Sequence, residues 1–381
     1  MDQGSPGEQL AGLDAGASRH GEADIGGRSY YCQNMATEAP TRIGIVGYGT
    51  GGRHFHAPFI AAAEGVEVAG VVTRSPERRA LVEAEVPGAR VFDSLSAMID
   101  AGVDAVTITT PPETRRELVL EAIGRGVPAV GDKPFAPSAA GARELAAAAA
   151  DAGVLLTVFH NRRWDADVRT VKAVLDGGGV GELWRVHSRF DLDDPVTFEM
   201  GPTGGLLRDL GSHVVDQMLW LLGPAERVHA RLDHIGDGAD RTDAGFVISI
   251  DHVSGVRSFI SSSKLNGMQV REFRLYGSRG GYEASGTDVQ AQAIFAGRRP
   301  ADEGDRWGYD DESRWGHLHS DGRTSIVPSE RGAYQDFYTS WGRAVRGEAD
   351  VPVSLDSAIE TLAVLDAARE SDATGSVVRL R

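Results

Sequence analysis

Three side chains in the sequence could carry an acid–base reaction: Lys133, Asp209 and His213. Lys133 stands in GDKPF, where we predict the carboxyl end of a strand, the edge at which doubly wound sheets bind ligands. Asp209 and His213 are four residues apart and share one face of a predicted helix. Histidine is a common general base near neutral pH. The same residues also allow a structural Asp–His pair and a lysine at an ordinary strand exit.

A glycine-rich turn precedes these residues. Gly47, Gly49 and Gly52 fit the pattern G-x-G-x-x-G directly after an apolar run. The first glycine permits a tight turn, the second lets a pyrophosphate approach the backbone, and the third lets helix and strand pack closely. The amino end of the following helix supplies N–H donors to phosphate. Because further strand–helix units follow, we predict a dinucleotide site rather than a glycine loop that binds nothing.

The end of the second predicted strand bears on the choice of cofactor. A carboxylate there would bind the ribose 2′-hydroxyl of NAD, but the sequence reads Thr73-Arg74-Ser75. Hydroxyls and a guanidinium suit a 2′-phosphate, so we predict NADP in preference to NAD, with NAD possible. The alternative is that Arg74 merely faces solvent. The predicted cofactor contacts are Gly47, Gly49, Thr50, Gly52, Thr73, Arg74, Ser75, Thr110, Pro111 and Lys133.

The stretch FHNRRWD places polar groups where the two predicted domains join. Asn161, Arg162, Trp164 and Asp165 combine an amide, a guanidinium, a ring and a carboxylate, which suits a polyol. They fit equally well a hinge whose polar groups satisfy one another. The predicted substrate contacts are Asn161, Arg162, Trp164, Asp165, Asp209 and His213.

Two histidines follow the glycine turn. His54 and His56 are too few for a metal site, and we predict that they line the cofactor cleft or pack beside it. Pro58 suits the first turn of the helix that follows. No metal is predicted anywhere in the chain.

Hydrophobic patterning predicts the elements that position these residues. Apolar strands alternate with helices over residues 41–160, which indicates a Rossmann-type, doubly wound parallel sheet. Over residues 161–381, helices and long alternating runs indicate an α+β domain with a large, mostly antiparallel open sheet. Residues 296–325 are predicted to form a charged loop. We predict that 1–40 is a disordered extension and that translation begins at Met35.

Composition limits the classes of partner. The chain has 381 residues, a net charge of −16 and one cysteine, Cys32. The negative charge disfavours nucleic acid and anionic membranes, and no apolar run reaches membrane-spanning length. One cysteine allows no intrachain disulfide, so a cytoplasmic setting is expected.

Together, the glycine turn, the Lys-Pro pair and the Asp-x-x-x-His helix resemble the glucose–fructose oxidoreductase / inositol dehydrogenase / MocA (Gfo/Idh/MocA) family. The resemblance covers about residues 41–381. Within the family, the chain is most similar to bacterial NADP-dependent scyllo-inositol dehydrogenases. That likeness is carried by a Trp-Gly loop near Trp307 and Trp315 and by GRHFHAPF, VVTRS, HNRRWD and DLGSHVVDQ.

The resemblance implies a role for each motif. Lys133 would hydrogen-bond the reacting hydroxyl, His213 would act as acid and base, and Asp209 would position the substrate and the histidine. Hydride would pass between the substrate carbinol carbon and the nicotinamide. The second domain would bind substrate and form a homodimer or homotetramer through its open sheet face.

Two residues depart from the family pattern. Asp132 stands where a glutamate usually precedes Lys-Pro, and Arg115 stands where relatives commonly carry histidine. We expect Asp132 to keep the structural role and Arg115 to alter contacts around the cofactor. Two other functions stay open: a non-catalytic NAD(P)-binding sensor of the same fold, and a biosynthetic keto-sugar reductase.

Overall fold

The computed structural model describes residues 39–201 and 204–380. Residues 1–38, with most of the predicted extension and the start at Met35, lie outside this part of the chain. Within the described residues, no helix combines the length and apolarity needed to cross a bilayer.

The first sheet contains six parallel strands in the order β3-β2-β1-β4-β5-β6. Short runs rich in valine and isoleucine form these strands because both faces are covered. The chain changes direction between β1 and β4, which opens a crevice at the carboxyl ends of these strands. The strands are β1 (Thr41–Val46), β2 (Val66–Val72), β3 (Arg90–Phe92), β4 (Ala105–Ile108), β5 (Ala129–Gly131) and β6 (Leu156–Val158).

Helices connect these strands and cover the sheet. They are α1 (Ala57–Ala61), α2 (Pro76–Glu85), α3 (Leu95–Asp100), α4 (Pro112–Gly124) and α5 (Ala139–Ala152). Ser75, Ser94 and Ser138 cap α2, α3 and α5 by accepting a backbone N–H from three residues further on. Pro58 lies in the first turn of α1, as the sequence predicts. These strand–helix units confirm the predicted doubly wound fold.

The second sheet has nine strands in the order β14-β13-β12-β11-β7-β10-β9-β8-β15. Among the described strands of this sheet, only the pair β7–β10 is parallel. The strands are β7 (Leu183–Asp191), β8 (Ala225–Ile235), β9 (Thr242–His252), β10 (Arg257–Ser263), β11 (Val270–Gly277), β12 (Gly280–Ser285), β13 (Gly316–Ser320), β14 (Arg323–Val327) and β15 (Val378–Arg379).

Burial alternates along the second sheet. In β9, Phe246 and Ile248 are buried, whereas Val247 between them is exposed. On the face that carries Val247, His187 stacks on Phe259 with ring centroids 4.8 Å apart. The mostly antiparallel sheet with one open face confirms the predicted second fold.

The remaining helices include one that returns to the first sheet. They are α6 (Ala166–Asp176), α7 (Ser212–Leu222), α8 (Val289–Phe295), α9 (Pro300–Glu303), α10 (Gln335–Val345) and α11 (Leu355–Thr374). Helices α7 and α11 pack on each other, and α11 packs on β8, whereas α10 contacts α1 and β2. The Phe337 ring of α10 meets Phe159 edge-on at 4.9 Å, and Tyr334 just before α10 meets Phe59 at 5.1 Å.

The prediction of a charged loop over residues 296–325 was wrong at both ends. The segment contains α9, and its last residues belong to the hairpin of β13 and β14. Asp321 and Gly322 connect these strands with φ of 52° and 74°, the backbone of a tight two-residue turn. Asp-Gly between short alternating runs is a strong hairpin signal, so the sequence did contain the information.

Candidate active site

The glycine turn after β1 leaves bare backbone at the crevice. Gly47 has φ of 102°, which favours glycine, and a Cβ on Gly52 would lie 2.1 Å from the Gly47 carbonyl oxygen. A Cβ on Gly49 would have no atom within 4 Å, so open space faces this residue. A tight turn, a close helix approach and an open face are what a pyrophosphate requires. The residues present therefore fit a dinucleotide.

The loops after β4 and β5 are tied to this turn. Thr109 Oγ1 donates a 2.9 Å hydrogen bond to the Gly47 carbonyl. The buried Arg115 guanidinium donates to the carbonyl oxygens of Thr110 and Pro134, at 2.8 and 2.6 Å. Arg115 thus fixes the loop that carries Thr110 and Pro111 relative to the loop that carries Lys133. Sequence reasoning identified Arg115 as a departure but not this bridging role.

The residues predicted to bind a 2′-phosphate have different surroundings. Thr73 is buried and its N–H donates to Phe92. Ser75 Oγ accepts the Arg78 N–H as the cap of α2 and donates to Glu77 at 2.5 Å. Arg74 is exposed and has no hydrogen bond or ion pair to any described residue. Arg74 is therefore the most available of the three predicted side chains.

The side chains of Lys133, which follows β5, and Asp209, which precedes α7, are in contact. The Lys133 ammonium lies 2.7 Å from Asp209 Oδ1, and the second carboxylate oxygen accepts from Lys264 at 3.2 Å. Burial opposes ionisation of Asp209, but the two ammonium groups outweigh burial and hold the pKa of its carboxyl well below the ordinary value. Asp209 is therefore an anion bridged by two cations. Lys264 was not predicted.

His213 is buried on α7, and its Nδ1 has no hydrogen-bond partner among the described residues. Burial, followed by the charge of Lys133, lowers the pKa of His213 well below 6.5. The imidazole is consequently neutral at pH 7 and can accept a proton.

Asp209 and His213 do not lie on one regular α-helix, and a shared helical face for the two side chains stays a prediction. Asp209 belongs to a π-helical turn, Leu207–Gly211, which leads into α7. The Asp209 carboxylate bonds to Lys133 and Lys264.

His160, directly after β6, adds a second buried imidazole. Its Nδ1 also has no hydrogen-bond partner in the described part of the chain, and its Nε2 lies 3.8 Å from Asp216. Burial lowers the pKa of His160 to about 4. Buried polar atoms normally have partners, so the unpaired Nδ1 atoms of His160 and His213 are exceptions among the described residues.

Asp132 performs a structural role beside Lys133. It accepts the Lys133 backbone N–H at 2.7 Å and lies 3.5 Å from His56 Nε2. Although burial opposes it, the contact with His56 and the charges of Arg115 and Lys133 lower the pKa of Asp132 to about 2. The buried His56 also bonds to the Tyr338 hydroxyl of α10.

His54 packs on Phe295 with ring centroids 5.2 Å apart. Among the described residues, no group of three or more His, Cys, Asp or Glu side chains is arranged to hold a metal.

Among the four residues predicted to face a polyol, Arg162 and Asp165 form ion pairs, whereas Asn161 and Trp164 do not. Arg162 donates to Asp165 and, at 2.6 Å, to Asp288, while Asp165 also accepts from Arg271 and Tyr334. All these groups are buried or nearly so, and they pair with one another, although Arg162 Nε and one terminal nitrogen of Arg271 have no hydrogen-bond partner among the described residues. Arg162 and Asp165 thus take part in a network of paired polar groups, which favours the hinge alternative, and their contact with substrate stays a prediction.

Asn161 and Trp164 differ from these two. Asn161 is buried, and its side chain has no hydrogen bond to the described residues. The Trp164 ring meets Phe337 edge-on and lines a cavity of about 400 Å³ with Trp220 and Lys172. Lys133, Asp209 and His213 do not line that cavity.

Comparisons with known proteins identify the family of both folds. Residues 41–160 match the oxidoreductase family with an NAD-binding Rossmann fold, and residues 168–283 match the GFO/IDH/MocA C-terminal domain. The chain is 32% identical to the oxidoreductase YdgJ of Escherichia coli, over 87% of this chain and 96% of that protein. It is 29% identical to scyllo-inositol 2-dehydrogenase (NADP(+)) IolW of Bacillus subtilis, over 87% and 93%.

A solved structure shows the same fold. The oxidoreductase yvaA from Bacillus subtilis superposes with a TM-score of 0.82 at 28% identity, covering 90% of this chain and 99% of that one. The matched domains, the relatives and the site lead to one conclusion. The chain belongs to the Gfo/Idh/MocA family of oxidoreductases and is an NAD(P)-dependent dehydrogenase.

Proposed function

We propose that this dehydrogenase uses NADP to interconvert a hydroxyl of a cyclic polyol or sugar and the corresponding ketone. The observation that carries the proposal is the Lys133–Asp209 contact beside the neutral His213, at the crevice edge where the glycine turn lies. Scyllo-inositol and its ketone are the first substrates to test, because the relative IolW carries that substrate in its name.

The chain's own residues can manage the proton of the reaction. Neutral His213 accepts the proton that leaves the hydroxyl, and Lys133 donates an N–H to the reacting oxygen as negative charge develops there. Asp209 orients the Lys133 ammonium through the 2.7 Å contact. A bound nicotinamide supplies the hydride acceptor for oxidation and the hydride donor for reduction.

A polar but uncharged ligand suits the remaining surroundings. Asn161 and the unpaired nitrogens of His160 and His213 offer hydrogen bonds. Hydroxyls both donate and accept, so a polyol can satisfy groups of either kind. The same arrangement serves a keto-sugar reductase, whose chemistry is this reaction in reverse.

The preference for NADP rests on Arg74. No acid follows Val72 at the tip of β2, and the exposed guanidinium has no described partner. Glu77 nearby bonds to Ser75, and Arg78 opposes its charge. The named cofactor of IolW, NADP(+), supports the same choice.

Assembly and location belong to the same proposal. Exposed Val247 and the His187–Phe259 stack form an apolar area on the open sheet face, which suits self-association as a homodimer or homotetramer. Light scattering on wild type and Val247→Lys tests the assembly, since an unchanged mass in the variant would contradict this interface.

We also propose that the protein is cytoplasmic and that residue 160 ends the cofactor domain.

A panel of polyols and keto-sugars with NADP(H) and NAD(H) tests the function. Turnover of at least one cyclic polyol is expected, and Lys133→Ala and His213→Ala should each lower kcat on the order of 10²–10⁴-fold. Unchanged kcat in both variants would refute the mechanism. Binding of NADPH without turnover of any substrate would favour the non-catalytic sensor.

A further inference from the structure

Lysine is scarce in this chain, and its placement is uneven. Only Lys133, Lys172 and Lys264 are lysines among 39 lysine and arginine residues. Lys172 is partly exposed on α6 and pairs with Asp176 four residues later. The other two lysines both contact one carboxylate, that of Asp209. A chain that otherwise uses arginine therefore places two of its three lysines at the proposed reaction centre.

Lys264 lies directly after β10 and is 3% exposed. Its ammonium donates to Asp209 Oδ2 at 3.2 Å and to the Thr197 carbonyl at 3.1 Å. Lys133 approaches the other carboxylate oxygen at 2.7 Å. The carboxylate is thus held from two sides, and its orientation toward Lys133 is fixed by a residue of the second sheet.

The charge balance gives this arrangement a chemical consequence. Two ammonium groups share one carboxylate, so the cluster carries one net positive charge. Lys133 also interacts electrostatically with His213 and His160, whose pKa values burial lowers, and with Asp132, which is paired with its own neighbours. Arg208, from the same turn as Asp209, adds a partly buried cation, which the charges of Glu199 and Glu113 offset in part. Excess positive charge stabilises an oxygen that becomes negative.

We infer that Lys264 is a positioning residue for the dehydrogenase reaction. It holds the Asp209 carboxylate and balances part of its negative charge, so that Lys133 can act on the reacting oxygen. This inference rests on the proposed function, in which Lys133 meets that oxygen. A lysine suits the role better than an arginine because its compact point charge fits between a carbonyl and a carboxylate.

Kinetics of Lys264→Met, Lys264→Arg and the control Lys172→Met test the inference. Loss of one charged hydrogen-bond partner should lower kcat on the order of 10–100-fold in Lys264→Met, with KM for NADP unchanged. Lys264→Arg should recover part of kcat, and Lys172→Met should behave as wild type. A changed KM with an unchanged kcat in Lys264→Met would overturn the role of Lys264 as a positioning residue.

A double-mutant cycle shows whether Lys264 acts through Asp209. In an Asp209→Asn background, Lys264→Met should lower kcat less than twofold further, since the carboxylate it holds is gone. Retention of the full effect would mean that Lys264 acts without Asp209 and would overturn the inference. Lys133→Ala is measured in parallel: if it kept full kcat, the proposed function would fail, whatever Lys264 did.

A second measurement needs no substrate. Lysine labelled with ¹³C at Cε gives three signals in the full chain, assigned with single lysine variants. Lys264→Met should move the Lys133 signal, and Asp209→Asn should move those of Lys133 and Lys264, while Lys172 stays in place. A Lys133 signal that ignored Lys264→Met would overturn the shared carboxylate.

Discussion

Acidification is expected to destabilise the fold through His160. Burial lowers the pKa of this imidazole from 6.5 to about 4, although Asp216 favours the charged form. The unfolded chain therefore binds a proton near pH 6.5, whereas the folded chain does not. Because the folded pKa is the lower of the two, the stabilisation is complete above pH 6.5 and is lost as the pH falls toward 4.

The loss of unfolding free energy depends on how far the pH falls below 6.5, the pKa of histidine in the unfolded chain. Each unit of pKa difference corresponds to about 1.4 kcal/mol, and roughly one and a half units lie between pH 6.5 and pH 5. His160 alone should therefore remove about 2 kcal/mol of unfolding free energy between pH 7.5 and pH 5. His213 acts in the same direction, since burial lowers its pKa as well.

Urea denaturation at pH 7.5 and pH 5 measures the loss in wild type, His160→Gln and the control His229→Gln. His229 is an exposed residue of β8, so its replacement should leave the wild-type loss intact. His160→Gln is expected to lose about 2 kcal/mol less than wild type over the same interval. Equal losses in wild type and His160→Gln would refute the reasoning, whatever the stability of the variant at pH 7.5.

Three further perturbations address the site. Asp209→Asn should lower kcat on the order of 10–100-fold because Lys133 loses a charged partner. Asp176→Asn removes a carboxylate from a surface pair and should leave kcat unchanged. A decrease in kcat of less than threefold in Asp209→Asn would contradict the role of Asp209 in orienting Lys133. Arg74→Ala should lower kcat/KM for NADP about tenfold or more and spare NAD, and equal losses would count against a 2′-phosphate contact. Gly52→Ala places a Cβ 2.1 Å from the Gly47 carbonyl, so NADPH fluorescence should detect no binding by a folded variant; retained affinity would contradict the glycine cradle.

Periodicity and glycine spacing were sufficient to predict both sheets and the turn after β1. These features are local, since each depends on residues within one strand–turn–helix unit. The hairpin of β13 and β14 was missed although Asp321-Gly322 signals it, because the surrounding charges suggested a loop.

The contacts of the site could not be read from the sequence in the same way. Lys264 reaches Asp209 from 55 residues away, and Arg271 reaches Asp165 from 106 residues away. Residue types alone do not reveal such partners, so the sequence could not decide between a ligand-facing edge and a network of buried ion pairs. The π-helical turn at Asp209 was equally hidden, because the spacing assumed a regular helix.

The return of α10 to the first sheet has a consequence for biosynthesis. Phe59 and Phe159 leave the ribosome early, yet the rings that cover them, Tyr334 and Phe337, follow only near the end of translation. Until then the nascent cofactor domain presents an aromatic surface to its surroundings, the kind of surface on which chaperones act. Its maturation is therefore post-translational in large part, even though its strands are the first to be made.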